Sequence, residues 1–344
     1  MKAKVLLLCF ILMFAINSYG QSGLDGNLSW SITDSALTIM GTGAMDDYNF
    51  INMPLWNPYC KQIKKVIIGD GITSIGNYAF YDFSAMTGIE VPGSVTVIGN
   101  HAFYGCSSLT GIDISSVTSL GNGAFLNCHN LKSVELSNVT SIGKDVFFAC
   151  YNLTDIDIPN TVTSIGDLAF VYCYSLTSIV LPNSVTSIGN DAFSDCRSLI
   201  SIEIPDNVTK IDNSAFAGCS SLTSIKIPDG VTIIKNYIFS GCSSLTSVEI
   251  PNSVTGIEHN AFEGCSSLTA IDIPGSVTRI GNNAFLDCSN LSIVGVYWEK
   301  PILIPETAFY NTPVSEATLT VPAGTKALYE AADNWKNFGT IVYK

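Results

Sequence analysis

The sequence predicts a β-rich solenoid, one domain wound from short strands and tight corners, and three observations carry that expectation. Charged residues make up only 13% of the 344-residue chain, against roughly 25% in ordinary soluble domains. Gly, Ser, Thr, Asn, Val and Ile dominate instead, and β-branched residues mixed with small turn formers favour strands and corners over helices. The third observation is self-similarity. Phe80, Phe103, Phe125, Phe147, Phe170, Phe193, Phe216, Phe239, Phe262, Phe285 and Phe309 follow one another at steps of 23, 22, 22, six times 23, and 24 residues.

Around each Phe the same sentence returns, V-T-S-I-G-N-x-A-F-x-G-C-S-S-L-T-S-I-x-I-P, seen well from Val185 to Pro205. A fixed period of this size with regular Leu and Ile is the signature of a leucine-rich-repeat solenoid. One unit cannot bury its own apolar face, so stacked units share a continuous core. Eleven Phe mean about eleven coils of 22–24 residues, an array on the order of 50 Å long at about 4.8 Å per strand step.

The unit divides into three pieces. In Ser201-Ile202-Glu203-Ile204, Ile202 and Ile204 alternate with polar residues, as in a half-buried strand, and Pro205 ends it. Val185-Thr186-Ser187-Ile188 reads as a second short strand, closed by the Gly189-Asn190 corner. Asp191 to Cys196 is too short for a stable α-helix, so a single helical or 3-10 turn that drives Phe193 and Cys196 inward is expected. The threonines from Thr73 to Thr278 fill one position in ten successive coils and read as a ladder of bonded hydroxyls.

The ends depart from the repeat. Residues 1–20 read as a signal peptide: Lys2 and Lys4, an apolar run from Val5 to Ile16, then small residues to Gly20. That run is shorter than the roughly 20 residues of a membrane span, so an exported product without a transmembrane segment is expected. Residues 21–60 read as an N-terminal β cap, with Leu28–Ile32 and Leu37–Ile39 as a hairpin over the first coil. The repeats occupy 61–295. Residues 296–344 hold a degenerate coil around Phe309, a strand from Ala317 to Pro322, and a helix from Thr325 to Phe338 with Thr325 as N-cap and Gly339 as stop. Open solenoids require such caps.

The net charge is −13, and −15 once the two N-terminal lysines are removed. An acidic chain is a poor partner for nucleic acid and for anionic lipid. No motif for a cofactor, a metal or catalysis stands out. His101, His129 and His259 lie in separate coils with no recurrent acid or nucleophile. Nine of the ten cysteines after residue 20 sit three residues beyond a Phe. Such a column has parallel Cβ directions and spacings too wide for disulfides, and a line of ligands cannot surround a zinc ion; reduced core thiols are expected. The sequons at Asn138, Asn152, Asn207 and Asn290 read as corner hydrogen bonding.

Two surfaces are candidates for recognition. The outward strand position holds Glu90, Asp113, Glu135, Asp157, Val180, Glu203, Lys226, Glu249 and Asp272, an acidic stripe on the face expected to be concave. Like charges on adjacent strands repel, so the pattern has a cost. It suits a solvated face, a surface for a basic or hydroxylated partner, or, with few oxygens per step, a cation. The second candidate is Phe148, Tyr151, Tyr172 and Tyr174, because exposed tyrosines are good contact anchors.

With these residues in view, the chain resembles the BspA-type leucine-rich repeats, a bacterial surface-protein family. The resemblance rests on A-F-x-G-C-S-S-L-T-S-I-x-I-P, as in Ala215 to Pro228, on the opening Leu37 to Met45, and on Val321-Pro322-Ala323-Gly324-Thr325. It covers about residues 24 to 344. It implies a secreted or cell-surface binding and adhesion module for proteins or glycans of host matrix or other microbes, with no catalytic residues and no cofactor. The alternatives are a structural spacer of the cell surface and a glycan-acting enzyme. Ligand, anchorage and oligomeric state stay open.

Overall fold

A computed structural model describes residues 20–344. The export segment expected over 1–20 therefore lies outside the described residues except for Gly20. The chain winds into a β-solenoid whose coils each have three sides. One side carries strands such as Ser201–Glu203, Ser224–Lys226 and Ser247–Glu249. These pair in parallel with their neighbours, for example Ser133↔Gly111 and Ser178↔Ser201. The second side carries two-residue strands such as Ser187–Ile188, paired in parallel with Lys210–Ile211.

The third side is the corner that holds the Phe. It is closed by i→i+3 bonds, as in a 3-10 turn: Cys196 N–H donates to Phe193 O at 3.2 Å and Leu199 N–H to Cys196 O at 3.0 Å. Alternate N–H groups leave the coil instead. Asp191, Phe193 and Asp195 donate to the carbonyls of Asn213, Ala215 and Ala217 in the next coil. Left-handed residues flank the Phe and turn these groups outward, Asp191 at φ 52 and Asp195 at φ 56. Gly, Asn and Asp recur at such positions because they tolerate this region best. Every side of the coil thus bonds to its neighbours, and the stack is held by backbone on all three sides.

The core is a set of columns. The eleven Phe rings stack face to face, with centroids 4.9–5.8 Å apart and planes within 24°. They are fully buried from Phe80 to Phe285 and 8% exposed at Phe309. All ten cysteines among the described residues are free. In the nine column cysteines the thiol donates to the carbonyl of the Phe one coil back, as Cys219 Sγ to Phe193 O at 3.1 Å. In the last coil Thr312 makes the same bond with its hydroxyl, to Phe285 O at 2.6 Å. Burial pushes the Cys219 and Cys288 thiols up to about 12.

Polar ladders line the outside of the coil. Thr118, Thr186, Thr255 and Thr278 donate their hydroxyls to the preceding threonine carbonyl at 3.0–3.2 Å. The amides of Asn138, Asn152, Asn207 and Asn290 each donate to the preceding coil, to Ser115 O, Asn130 Oδ1, Asn183 O and Ser266 O respectively.

Both ends are closed by tryptophan. At the N-terminus β1 (Gln21–Asp25), β2 (Leu28–Thr33) and β3 (Ala36–Met40) form an antiparallel meander. The turn between β2 and β3 is Asp34-Ser35, at φ 51 and 66, the twist a two-residue hairpin needs. β3 then pairs in parallel with Lys65–Ile68, and Trp56 lies on Phe80 with centroids 6.5 Å apart. At the other end Phe338 packs edge-on to Phe309, and buried Trp335 donates to Ile302 O. The expected long helix is only Lys326–Ala331. It stops because Ala332 is extended and Asn334 is left-handed at φ 67, and a 3-10 turn follows at Trp335–Asn337. Thr325 stands at the N-cap, but its hydroxyl bonds back to Pro322 O and not to the helix. Three strands beyond the sequence expectation complete the caps, β1, Gly43–Ala44 and Thr340–Tyr343, the last parallel to Thr318–Val321.

Candidate functional site

The acidic stripe is built by strand register. Side chains alternate along each strand, so the residue between two inward Ile or Val points to solvent. Asp113 stands opposite Glu135, Val180 opposite Glu203, Lys226 opposite Glu249, and Asp272 opposite Gly295. Glu90, Asp113, Glu135, Asp157, Glu203, Glu249 and Asp272 are all exposed. The column is not uniform. Lys65 pairs with Glu90 at 2.5 Å and Lys344 with Asp272 at 2.7 Å, Val180 is 71% exposed, and Lys226 reverses the sign. Among the described residues Asp113, Glu135 and Asp157 form no ion pair, and beyond the interruption Glu203 and Glu249 form none either, although Lys226 stands opposite Glu249.

Asp155 belongs to this face and was not apparent from sequence. It lies opposite Ser133, two residues before Asp157 and on the same side of the strand. Most other coils place Gly or Ser there, and none an acid, so no acidic column announced it. Glu135, Asp155 and Asp157 line a shallow groove of about 150 Å³ together with Ser133. Asp113 is held below the usual carboxylate range because the Ser115 backbone N–H donates to it at 2.9 Å and the Ser115 hydroxyl assists. A row of exposed serines, Ser133, Ser178, Ser201, Ser224 and Ser247, runs beside the carboxylates.

Phe148, Tyr151, Tyr172 and Tyr174 do come together, within a larger stack. His129 lies on Tyr151 with centroids 4.5 Å apart, Tyr151 on Tyr174 at 5.2 Å, and the Arg197 guanidinium over Tyr174 at 5.0 Å. Phe148 meets Tyr172 edge-on at 5.4 Å, and Tyr172 meets Tyr174 at 5.8 Å. His129 and Arg197 were not placed on this surface from sequence, since only the one-coil offset aligns them. Rings stacked this way cover each other's faces, so what remains for a partner is mainly edges and hydroxyls. Burial lowers the His129 pKa and raises that of Tyr174.

The histidines do not converge. His129 serves the stack, His101 lies against Tyr78 at 5.1 Å, and His259 Nδ1 accepts the Asn282 N–H in an amide ladder. Among the described residues no group of three or more His, Cys, Asp or Glu side chains is placed to hold a metal ion. No described helix is long and apolar enough to cross a membrane.

Fold and faces together define a leucine-rich-repeat solenoid that presents ladders and columns along its length. The BspA type leucine rich repeat region matches in six copies, over residues 57–176, 140–232, 163–292 and 209–332, and the chain belongs to that family. It is similar, at 27% identity and a TM-score of 0.54, to a leucine rich cell surface protein from Faecalibacterium prausnitzii A2-165, over 92% of this chain and 98% of that one. The fold is shared with a leucine-rich repeat protein from Bacteroides ovatus at 22% identity and TM-score 0.60, over 96% and 99% of the two chains. It is also shared with one from Eubacterium ventriosum at 23% and 0.53, over 86% and 95%. No curated protein matches the chain.

Proposed function

We propose that the chain is a secreted or cell-surface adhesion module that binds basic segments of host or microbial partners along its acidic sheet face, without catalysing a reaction. The observation that carries this reading is the run of Asp113, Glu135 and Asp157. These carboxylates sit in successive coils and form no ion pair among the described residues, and Asp155 joins them. Such a run opposes folding weakly through like-charge repulsion. It attracts cationic ligands by focusing field along the face. Membership of a leucine-rich-repeat surface family supports an interaction role, and the flanking serine row supplies hydroxyls for polar contacts.

The test is capture of matrix proteins and glycans from an array by the chain beginning at Gln21, beside a variant with Glu90, Asp113, Glu135 and Asp157 changed to Lys. Capture lost in the variant places binding on the stripe. Capture retained moves it to the aromatic stack or the caps. No capture by either chain favours a spacer, a reading to which the hydroxyl and thiol ladders also lend themselves.

A further inference from the structure

At the C-terminal end of the sheet face lies a groove of about 750 Å³, lined among others by Ser224, Lys226, Ser247, Glu249, Asp272 and Tyr297. An ammonium group already lies at its edge, against two of the lining side chains. Lys344 Nζ is 2.7 Å from Asp272 Oδ1 and 3.2 Å from the centroid of the Tyr297 ring, although Lys344 and Asp272 are 72 residues apart in sequence. Gly295 makes room for this arrangement. It stands in register with Asp272 in the next strand, and a β-carbon there would collide with Asp272 Oδ1 and come within 2.8 Å of Lys344 Nζ.

We propose that Asp272 and Tyr297 form an ammonium site for a lysine side chain of a partner's basic segment, and that Lys344 is its resident occupant, displaced on binding. A carboxylate beside an aromatic face is selective for a cation over a neutral group, because both the charge and the ring quadrupole attract it. The resident pair is open to solvent on one side: the Asp272 side chain is 68% exposed and the Lys344 side chain 27%, and ion pairs that solvent reaches are weak, so a second ammonium can exchange with the first. Lys226 also lines the groove, opposite Glu249, and opposes the approach of a second cation there. The proposal rests on the sheet face being the binding face, and it names one subsite there.

The experiment follows the Lys344 ε-methylene resonance by NMR in protein carrying labelled lysine, with Lys344→Ala as the assignment control. The expected free-protein resonance is displaced upfield by the Tyr297 ring current and loses that displacement in Tyr297→Leu. Adding a capped trilysine peptide returns it toward the free-lysine position, while the Nε-acetylated peptide leaves it in place. Lys344→Ala binds the trilysine peptide about three- to tenfold tighter than the parent chain, and Asp272→Asn binds it more weakly. A free-lysine resonance in the parent chain, or peptide bound with Lys344 undisturbed, overturns the ammonium site alone. A peptide that binds neither the parent chain nor Lys344→Ala overturns the site and the acidic-face reading together.

Discussion

Asp113 and Glu135 stand opposite each other on adjacent parallel strands, and neither carboxylate meets a cation among the described residues. Directly opposed like charges destabilise a sheet, typically by about 0.2–1 kcal/mol. The substitution Glu135→Gln removes the repulsion and leaves the Asp113 carboxylate its bond from the Ser115 N–H. Its unfolding free energy, read from denaturant titration, is expected to rise by an amount within that range. A fall of more than about 1 kcal/mol would give these carboxylates a structural role and remove the argument that they are held for a ligand.

The Phe column sets the second expectation. Phe193 is fully buried between Phe170 and Phe216, at 5.2 and 5.7 Å. Phe193→Ala removes a ring that neighbours on both sides cannot replace, and equilibrium unfolding should show a loss of about 3–5 kcal/mol. A loss under about 1 kcal/mol would mean that the stack is loosely packed.

The thiol column makes the fold sensitive to alkali. Burial raises the folded-state pKa of Cys219 and Cys288 from 9.0 to about 12, and raises six other column thiols as well, first of all through desolvation. A pKa raised by folding contributes stability that is complete below the unfolded value and is lost as pH rises through the folded value. Stability is therefore expected to decline from pH 9 upward, by about 1.4 kcal/mol per pH unit for each thiol that ionises only on unfolding. A stability curve that stays flat from pH 9 to 11 contradicts the buried, protonated column.

The same column predicts thiol chemistry. The chain beginning at Gln21, denatured without reductant, should titrate ten free thiols, the number found free among the described residues. The detection of several bridges would break the ladder in which each column thiol donates to a Phe carbonyl.

The features legible in sequence are those that repeat. The Phe, Cys and Thr columns and the stripe from Glu90 to Asp272 needed only the period and the alternation along a strand. The reason for Cys in its column was hidden, because the acceptor of Cys219 is Phe193 O, 26 residues back, a partner that exists only once coils are stacked. Asp155, His129 and Arg197 escaped for the same reason, since each occurs once and gains its meaning from the neighbouring coil. The caps were least legible. Thr325 to Phe338 carried helical spacing, yet the left-handed Asn334 divides it, and Thr340–Tyr343 becomes a strand only because Thr318–Val321 presents an edge to it.

The most direct test of the acidic-face account measures thermal midpoint and ligand capture on the same preparations of the parent chain and the variant with Glu90, Asp113, Glu135 and Asp157 changed to Lys. The account predicts a cooperative transition in both, with the midpoint shifted by only a few degrees, and capture lost in the variant. A variant that keeps its transition and captures the same ligand as well as the parent chain would contradict it.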